Sequence, residues 1–187
     1  DKEGILMVPM NSSMEAERFK AAVETNPAIQ QVSLTNNHVG WGSEGRAVKS
    51  GELEYEVSLF NVGLNYVESL GFNIVEGRAF DQQNQELDKA NGILINERFA
   101  SQFGWTDPIG QRVTIQDTLS LTVVGMMEDF YTWGLWSNIG PVMFRLQDDQ
   151  NLSMLIAKVP EDQVGATIDY LEDTWVELIP DRPSNVF

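Results

Sequence analysis

Both ends of this chain are written in the same grammar, a short apolar run followed by a helix, with a differently punctuated middle between them. That arrangement narrows the fold more than any single motif does. Near the N-terminus, Gly4 to Val8 carries Ile5, Leu6, Met7 and Val8 and predicts a buried strand closed by Pro9. Ser12 is placed to cap the amide of Glu15 in a Ser-x-x-Glu box, and Phe19, Ala22 and Val23 then share one helical face. Asn26-Pro27 ends that helix, because a residue before proline is pushed out of the α region. The β-branched and apolar residues from Ile29 to Leu34 predict a second strand. At the far end Leu152 to Val159 is strand-like and Pro160-Glu161-Asp162 starts a helix. Val164, Ile168, Leu171, Trp175 and Leu178 then form an apolar stripe, too short for a coiled coil and suited to a helix laid on a sheet. Pro180 and Pro183 break that helix, and Val186-Phe187 begins another strand or a lead toward a further segment.

The middle has its own punctuation. Asn36 to Gly45 is a glycine-rich loop that marks a subdomain boundary. Leu53 to Asn61 alternates as a strand, and a short helix through Tyr66, Val67 and Leu70 is expected to stop at Gly71 in the left-handed conformation. Asp81 to Ala90 reads as polar loop. Gly92 to Ile95 reads as a strand, with Asn96 as N-cap of a helix from Glu97 to Phe103. Arg112 to Ile115 and Leu119 to Met126 read as paired strands around Gln116-Asp117-Thr118, and Val142 to Leu146 as one more. The expected class is therefore α+β: residues 1–36 and 151–187 form one discontinuous subdomain, and 37–150 form an inserted mixed α/β lobe.

With 187 residues, 42% of them hydrophobic and 21% charged, the chain has the composition of a folded domain able to bury a core. A net charge of −16 repels phosphate backbones and makes nucleic acid an unsuitable partner. No apolar run approaches the roughly 18 to 20 residues that cross a bilayer. The opening Asp1-Lys2-Glu3 has neither an initiator Met nor a signal-peptide pattern, as expected of a segment excised from something larger. The absence of cysteine excludes disulfides, thiol catalysis and cysteine-based zinc sites, and leaves the compartment open.

The sequence holds no Gly-x4-Gly-Lys-Ser/Thr loop, no Gly-x-Gly-x-x-Gly after a strand, no Gly-x-Ser-x-Gly elbow and no His-Glu-x-x-His, so ATP hydrolysis by this segment is excluded. No cofactor is called for. His38 is the single histidine and reads as a surface loop residue, which rules out a two-histidine metal site. Glu128-Asp129 is the one adjacent acid pair considered for glycoside hydrolysis, but neighbours on a strand point to opposite faces, and a solvated or turn-forming pair is expected. The run Asp81 to Glu86 resembles a calcium loop only distantly. Counted from Asp81, Glu86 takes the sixth position, where glycine belongs, and Gly92 the twelfth, where a bidentate Glu belongs. The stretch from Phe130 to Trp136 places Tyr131, Trp133 and Trp136 in a loop between two strands. Those aromatics either plug the gap between the insert and the terminal layer or form an exposed contact for a partner protein or apolar substrate.

The ordered series of punctuation carries a resemblance. Tyr66-x3-Leu70-Gly71-Phe72-x3-Glu76-Gly77-Arg78-x-Phe80 is succeeded by Ile95-Asn96-Glu97-x-Phe99-Ala100, then Asp107-Pro108-Ile109-Gly110-Gln111-Arg112, then Val123-Val124-Gly125-x3-Asp129-Phe130. This series resembles the extracytoplasmic core domain of ABC-transporter permeases of the MacB/FtsX/LolC type, over most of the chain. Read locally, Gly71, Gly77, Gly110 and Gly125 suit tight turns or close backbone approach, Asn96 a cap and Pro108 a turn; Arg78 is expected to pair with Glu76 or Asp129. The resemblance implies a porter-like layer built from both chain ends with a sabre-like insert. It also implies a noncatalytic domain on the periplasmic face of the inner membrane, tethered through helices outside this segment and coupling ATP-driven helix motion to export or to a periplasmic partner. The implied partners are a second permease, a cytoplasmic ABC ATPase and a periplasmic adaptor or substrate protein. The alternative class is a secreted acidic module that binds sugar or calcium.

Overall fold

A computed structural model describes residues 3–132 and 138–187. It divides into two compact units, one comprising the chain up to Asn36 with Gly63–Gly71 and Asp148–Phe187, the other Asn37–Val62 with Phe72–Gln147. The α+β class expected from the sequence holds.

In the first unit, β1 (Glu3–Pro9), β2 (Gln31–Thr35) and β10 (Met154–Pro160) form an antiparallel sheet with β10 in the centre, so a strand from the chain's end lies between two from its start. α1 (Ser13–Val23) begins as its capping residues dictate: the Glu15 amide donates to Ser12 Oγ at 3.3 Å. The Glu15 carboxylate reaches one residue further back than a capping box requires and accepts from the Asn11 amide at 3.2 Å. The stripe on α5 (Val164–Leu178) behaves as its period demands. Leu171 and Trp175 are buried among Leu6, Val8, Phe19 and Leu155, with Val164, Ile168 and Leu178 packed at the margin. The Trp175 ring meets Phe19 edge-on at 5.8 Å, its Nε1 donates to the Arg182 carbonyl at 2.9 Å, and Arg182 in turn pairs with Glu15. The short α2 (Tyr66–Ser69) packs against β2 and β10, and Gly71 beyond it adopts φ +68°. At the C-terminus Phe187 and Met7 exchange two backbone hydrogen bonds of 2.9 and 3.0 Å, an antiparallel pair that sends the chain back along β1 toward Glu3.

In the second unit, β3 (Glu44–Ser50), β4 (Leu53–Val62), β6 (Gly92–Asn96), β7 (Arg112–Ile115), β8 (Leu119–Met127) and β9 (Val142–Leu146) pair in a circuit, β4–β3–β7–β8–β6–β9 and back to β4. The β6–β8 and β4–β9 pairs are parallel. β5 (Ile74–Gly77) adds to β8. Alternate residues of these strands, among them Leu59, Ile93, Val113, Leu121 and Met143, face one apolar core that also receives Phe99 from α4 (Glu97–Gln102) and Phe103 from its C-cap. The hairpin turn after β7 uses positive φ at Gln116 (52°) and Asp117 (54°), the mirror-image geometry that suits the twist of paired strands.

Three elements depart from the sequence reading. β3 occupies residues placed partly in the glycine-rich loop, and β5 comes directly after the short helix. Residues read as polar loop contain α3 (Gln85–Asn91). Its start is organised by Asp81, whose carboxylate accepts the Asn84 amide at 2.8 Å and whose pKa is lowered, chiefly by the hydrogen bond from the Asn84 side chain.

Candidate functional site

Asn96 ends β6, is fully buried, and uses every hydrogen-bonding position of its amide. Its Oδ1 accepts from the Phe99 amide at 3.1 Å, the N-cap bond expected from the sequence, and from the Val142 amide at 2.8 Å. Its Nδ2 donates to Asp129 Oδ1 and to the Gly140 carbonyl, both at 2.9 Å. Asp129 Oδ1 also accepts from the Arg98 amide at 2.7 Å, and the Asp129 amide donates to Glu97 Oε2 at 3.2 Å. The first turn of α4 thus receives a carboxylate where its amides point outward. One buried side chain ties together the start of α4, the end of β8 and the approach to β9, and so holds both ends of the segment that contains Tyr131.

The described start of that segment carries two aromatic residues, Phe130 and Tyr131. Phe130 stacks on Phe72 at 4.4 Å and both lie near Phe144, which turns these rings inward. Tyr131 turns outward and is 43% exposed. The carbonyl of buried Thr132 accepts from the Gly40 amide at 2.7 Å, which joins this segment to the loop that carries Trp41, 50% exposed. Trp133 and Trp136 lie outside the described residues. Trp41 was not singled out in the sequence, although a tryptophan inside a run of Gly, Asn and Ser is itself a signal that something other than turn chemistry selects it.

His38, expected on a surface loop, is buried at 8% exposure, and its carbonyl accepts from the Trp41 and Gly42 amides. Burial pushes its pKa below the ordinary 6.5. A base whose folded pKa is depressed binds its proton more readily in the unfolded chain, so stability is expected to fall as pH drops through 6.5 toward the folded value. Urea midpoints measured from about pH 7.5 to about pH 5 should show this decline in the parent and a flatter profile in His38→Gln.

Arg78 pairs with neither Glu76 nor Asp129. Its Nη1 and Nη2 donate to the two oxygens of Asp88 at 2.7 and 2.8 Å, a bidentate clasp between the end of β5 and α3 that also reaches Asp81 at 3.4 Å. The reason is α3: once those residues are helical, Asp88 turns inward with its side chain fully buried. The Arg78 pKa is raised, first by its hydrogen bond to Asp88. Asp88→Asn keeps the volume and removes the charge. With Arg78 itself 35% exposed, the expected cost is about 2 kcal/mol in chemical denaturation. Asp81 and Asp88 are engaged by Asn84 and Arg78, so the calcium reading of this run gains no support. Glu128 accepts from Asn73 Nδ2 at 3.1 Å while Asp129 caps α4, so the acid pair serves two separate local structures.

Gly77 and Gly125 face each other across the β5–β8 pair. The Asp107 to Arg112 turn is pinned to β8: the Gly110 amide donates to Val123, the Val123 amide to Gln111, and the Gln111 amide to buried Pro108. Among the described residues no group of His, Asp and Glu is arranged to hold a metal ion, and no helix is long and apolar enough to cross a membrane. Among the described residues of these two loops, Trp41 and Tyr131 are the large hydrophobic side chains left outward. Such a site can hold a surface rigid and offer it to a partner.

Comparison with known proteins agrees with this geometry. The family description "MacB-like periplasmic core domain" matches residues 3–174. The macrolide export ATP-binding/permease protein MacB 2 of Aeromonas hydrophila is 25% identical over 153 residues, 75% of this chain and 23% of that protein. MacB of Neisseria gonorrhoeae is 25% identical over 128 residues, 64% of this chain and 20% of that protein. The chain therefore spans about a quarter or less of the length of these relatives. Among solved structures, the periplasmic region of MacB from Actinobacillus actinomycetemcomitans superposes with a TM-score of 0.72 at 12% identity, covering 98% of this chain and 87% of that one. The extracellular domain of the noncanonic ABC-type transporter YknZ from Gram-positive bacteria does so with a TM-score of 0.73 at 15% identity, covering all of both chains. The α+β fold, the ordered motif series and the match over residues 3–174 place the chain in one group: it belongs to the family of MacB-like periplasmic core domains.

Proposed function

We propose that this chain is the noncatalytic extracytoplasmic module of an ABC-transporter permease, held at the periplasmic face of the inner membrane through helices attached at both ends. ATP is hydrolysed by a separate cytoplasmic ATPase subunit or domain, and the permease works as a dimer. Motion of the membrane helices is transmitted to the first unit as a rigid body and onward to a periplasmic adaptor or substrate protein. Tyr131 is the proposed partner contact within the described residues. The glycines, Asn96, Arg78 and Pro108 serve as scaffold.

The observation that carries this reading is the Met7–Phe187 pair, added to family membership. Because the pairing is antiparallel, both chain ends are directed toward the same end of β1, the geometry that joint anchorage requires. A cysteine pair at the two positions tests it, since the segment has no cysteine of its own. In the full-length transporter, oxidising Met7→Cys/Phe187→Cys is expected to leave ATP turnover unchanged, because the two ends move together. Turnover lost on oxidation and recovered with reductant would show that the ends must part, and would overturn rigid-body coupling.

A further inference from the structure

Among the described residues of the second unit, one half-buried cation takes no part in the scaffold of clasps and caps. Arg145 lies in β9, two residues beyond Met143, and shares the core-facing side of that strand, with Ile93 beside it on β6 and Asn61 beside it on β4. Gln147 comes next at the same spacing, and its Nε2 donates to Asn61 Oδ1 at 3.2 Å. A guanidinium and two amide side chains therefore border one end of the strand-lined apolar core. It is the end away from α4, since β9 starts at Val142 beside Asn96 and runs in the opposite direction to β6.

Arg145 is half-buried and, among the described residues, its side chain makes no hydrogen bond and no ion pair. Burial alone lowers its pKa. A lone cation in this position costs free energy that an apolar residue would avoid. Shortage of acid does not explain it, because the chain carries 28 carboxylates against 12 Lys and Arg. Glu44, on the same face of β3, is engaged by Arg46, and Asp88 by Arg78.

We infer that Arg145, with Asn61 and Gln147 beside it, is a binding site for a carboxylate group that comes from outside the chain. The planar fork of arginine matches the two oxygens of a carboxylate with parallel hydrogen bonds. One guanidinium balances one negative charge, whereas a dianion such as phosphate meets the field of a chain with net charge −16. The end of a strand-lined apolar core supplies the partly desolvated setting in which such a pair gains strength.

The test titrates the 187-residue chain with acetate and with inorganic phosphate against chloride at matched ionic strength, tracking arginine Nε–H resonances. The resonance absent from Arg145→Lys is expected to shift saturably with acetate, and phosphate is expected to bind it more weakly. Arg145→Met should melt higher than the parent in chloride and should weaken the acetate response roughly tenfold or more. No saturable shift with acetate in the parent, a shift that chloride reproduces, or tighter binding of phosphate would each overturn the assignment. If Arg145→Met does not fold, the parent titration and Arg145→Lys still decide the matter.

Discussion

Gly125→Ala is expected to cost about 4 kcal/mol or to prevent the second unit from folding, because the added methyl group has no place to go. A Cβ at Gly125 would overlap the Arg78 carbonyl oxygen and lie 3.0 Å from the Arg78 carbonyl carbon and 2.9 Å from Leu94 Cδ2. The opposing residue gives no room. Gly77 sits at φ +75° and is itself closed in by the Val124 carbonyl and by Ile109 Cδ1 at 2.7 Å. Backbone cannot swing aside as the end of a flexible side chain can, so relief requires β5 to lift from β8. That lift would break the 3.1 Å bond from the Arg78 amide to Val124 and draw Arg78 away from Asp88. Gly110→Ala is the control. Gly110 has φ +86° but nothing within 4 Å of a Cβ, so its substitution should carry only the torsional cost, about 1 kcal/mol. Urea unfolding of both variants separates crowding from backbone strain, and equal losses would disprove the crowding account.

The second large effect belongs to Asn96. Asn96→Ala removes four hydrogen bonds at once and leaves the Phe99 and Val142 amides and the Gly140 carbonyl without this partner, two of the bonds being buried. At about 1 to 3 kcal/mol for each buried group left unsatisfied, the expected loss is about 3 to 4 kcal/mol. Asn96→Asp should be nearly as damaging despite its identical shape, because it replaces the donor with a carboxylate set against Asp129. Hydrogen exchange gives the specific readout: protection should fall first at the amides of Arg98, Phe99 and Val142. Uniform loss across the unit would mean that Asn96 is ordinary core and not the anchor of the Tyr131 segment.

Much of this fold was legible wherever a residue acts on its own neighbours. Ser12 and Asn96 cap the helices they precede, Gly71 sits just past α2 in the left-handed conformation, and Val142–Leu146 is a strand with the predicted bounds. The elements that went unread lack that local signature. α3 has no apolar stripe, its one large apolar residue, Leu87, being exposed; the helix is held through Asp88 by Arg78 and through Asn84 by Asp81. β3 has one buried residue, Val48, and a glycine within it, so its composition resembles a loop while its backbone is paired with β4 and β7. Missing α3 hid the inward turn of Asp88, and Arg78 was then assigned the wrong partner.

The candidate site divides in the same way. Tyr131 and Asn96 stand out in the chain by residue type and position, whereas the proximity of Trp41 to Tyr131 exists only through the Gly40–Thr132 bond. Caps, turns and strand alternation are interactions among residues a few positions apart, whose geometry the backbone already dictates. Strand order is different. Nothing near Met154–Pro160 specifies that it will lie between β1 and β2, nor anything near Arg145 that Asn61 and Ile93 will flank it. Such pairings join segments some 50 to 150 positions apart, and any apolar strand could satisfy the same hydrogen bonds. The choice falls to the arrangement that buries every apolar face at once, a property that belongs to the assembled fold and to no stretch of the chain alone.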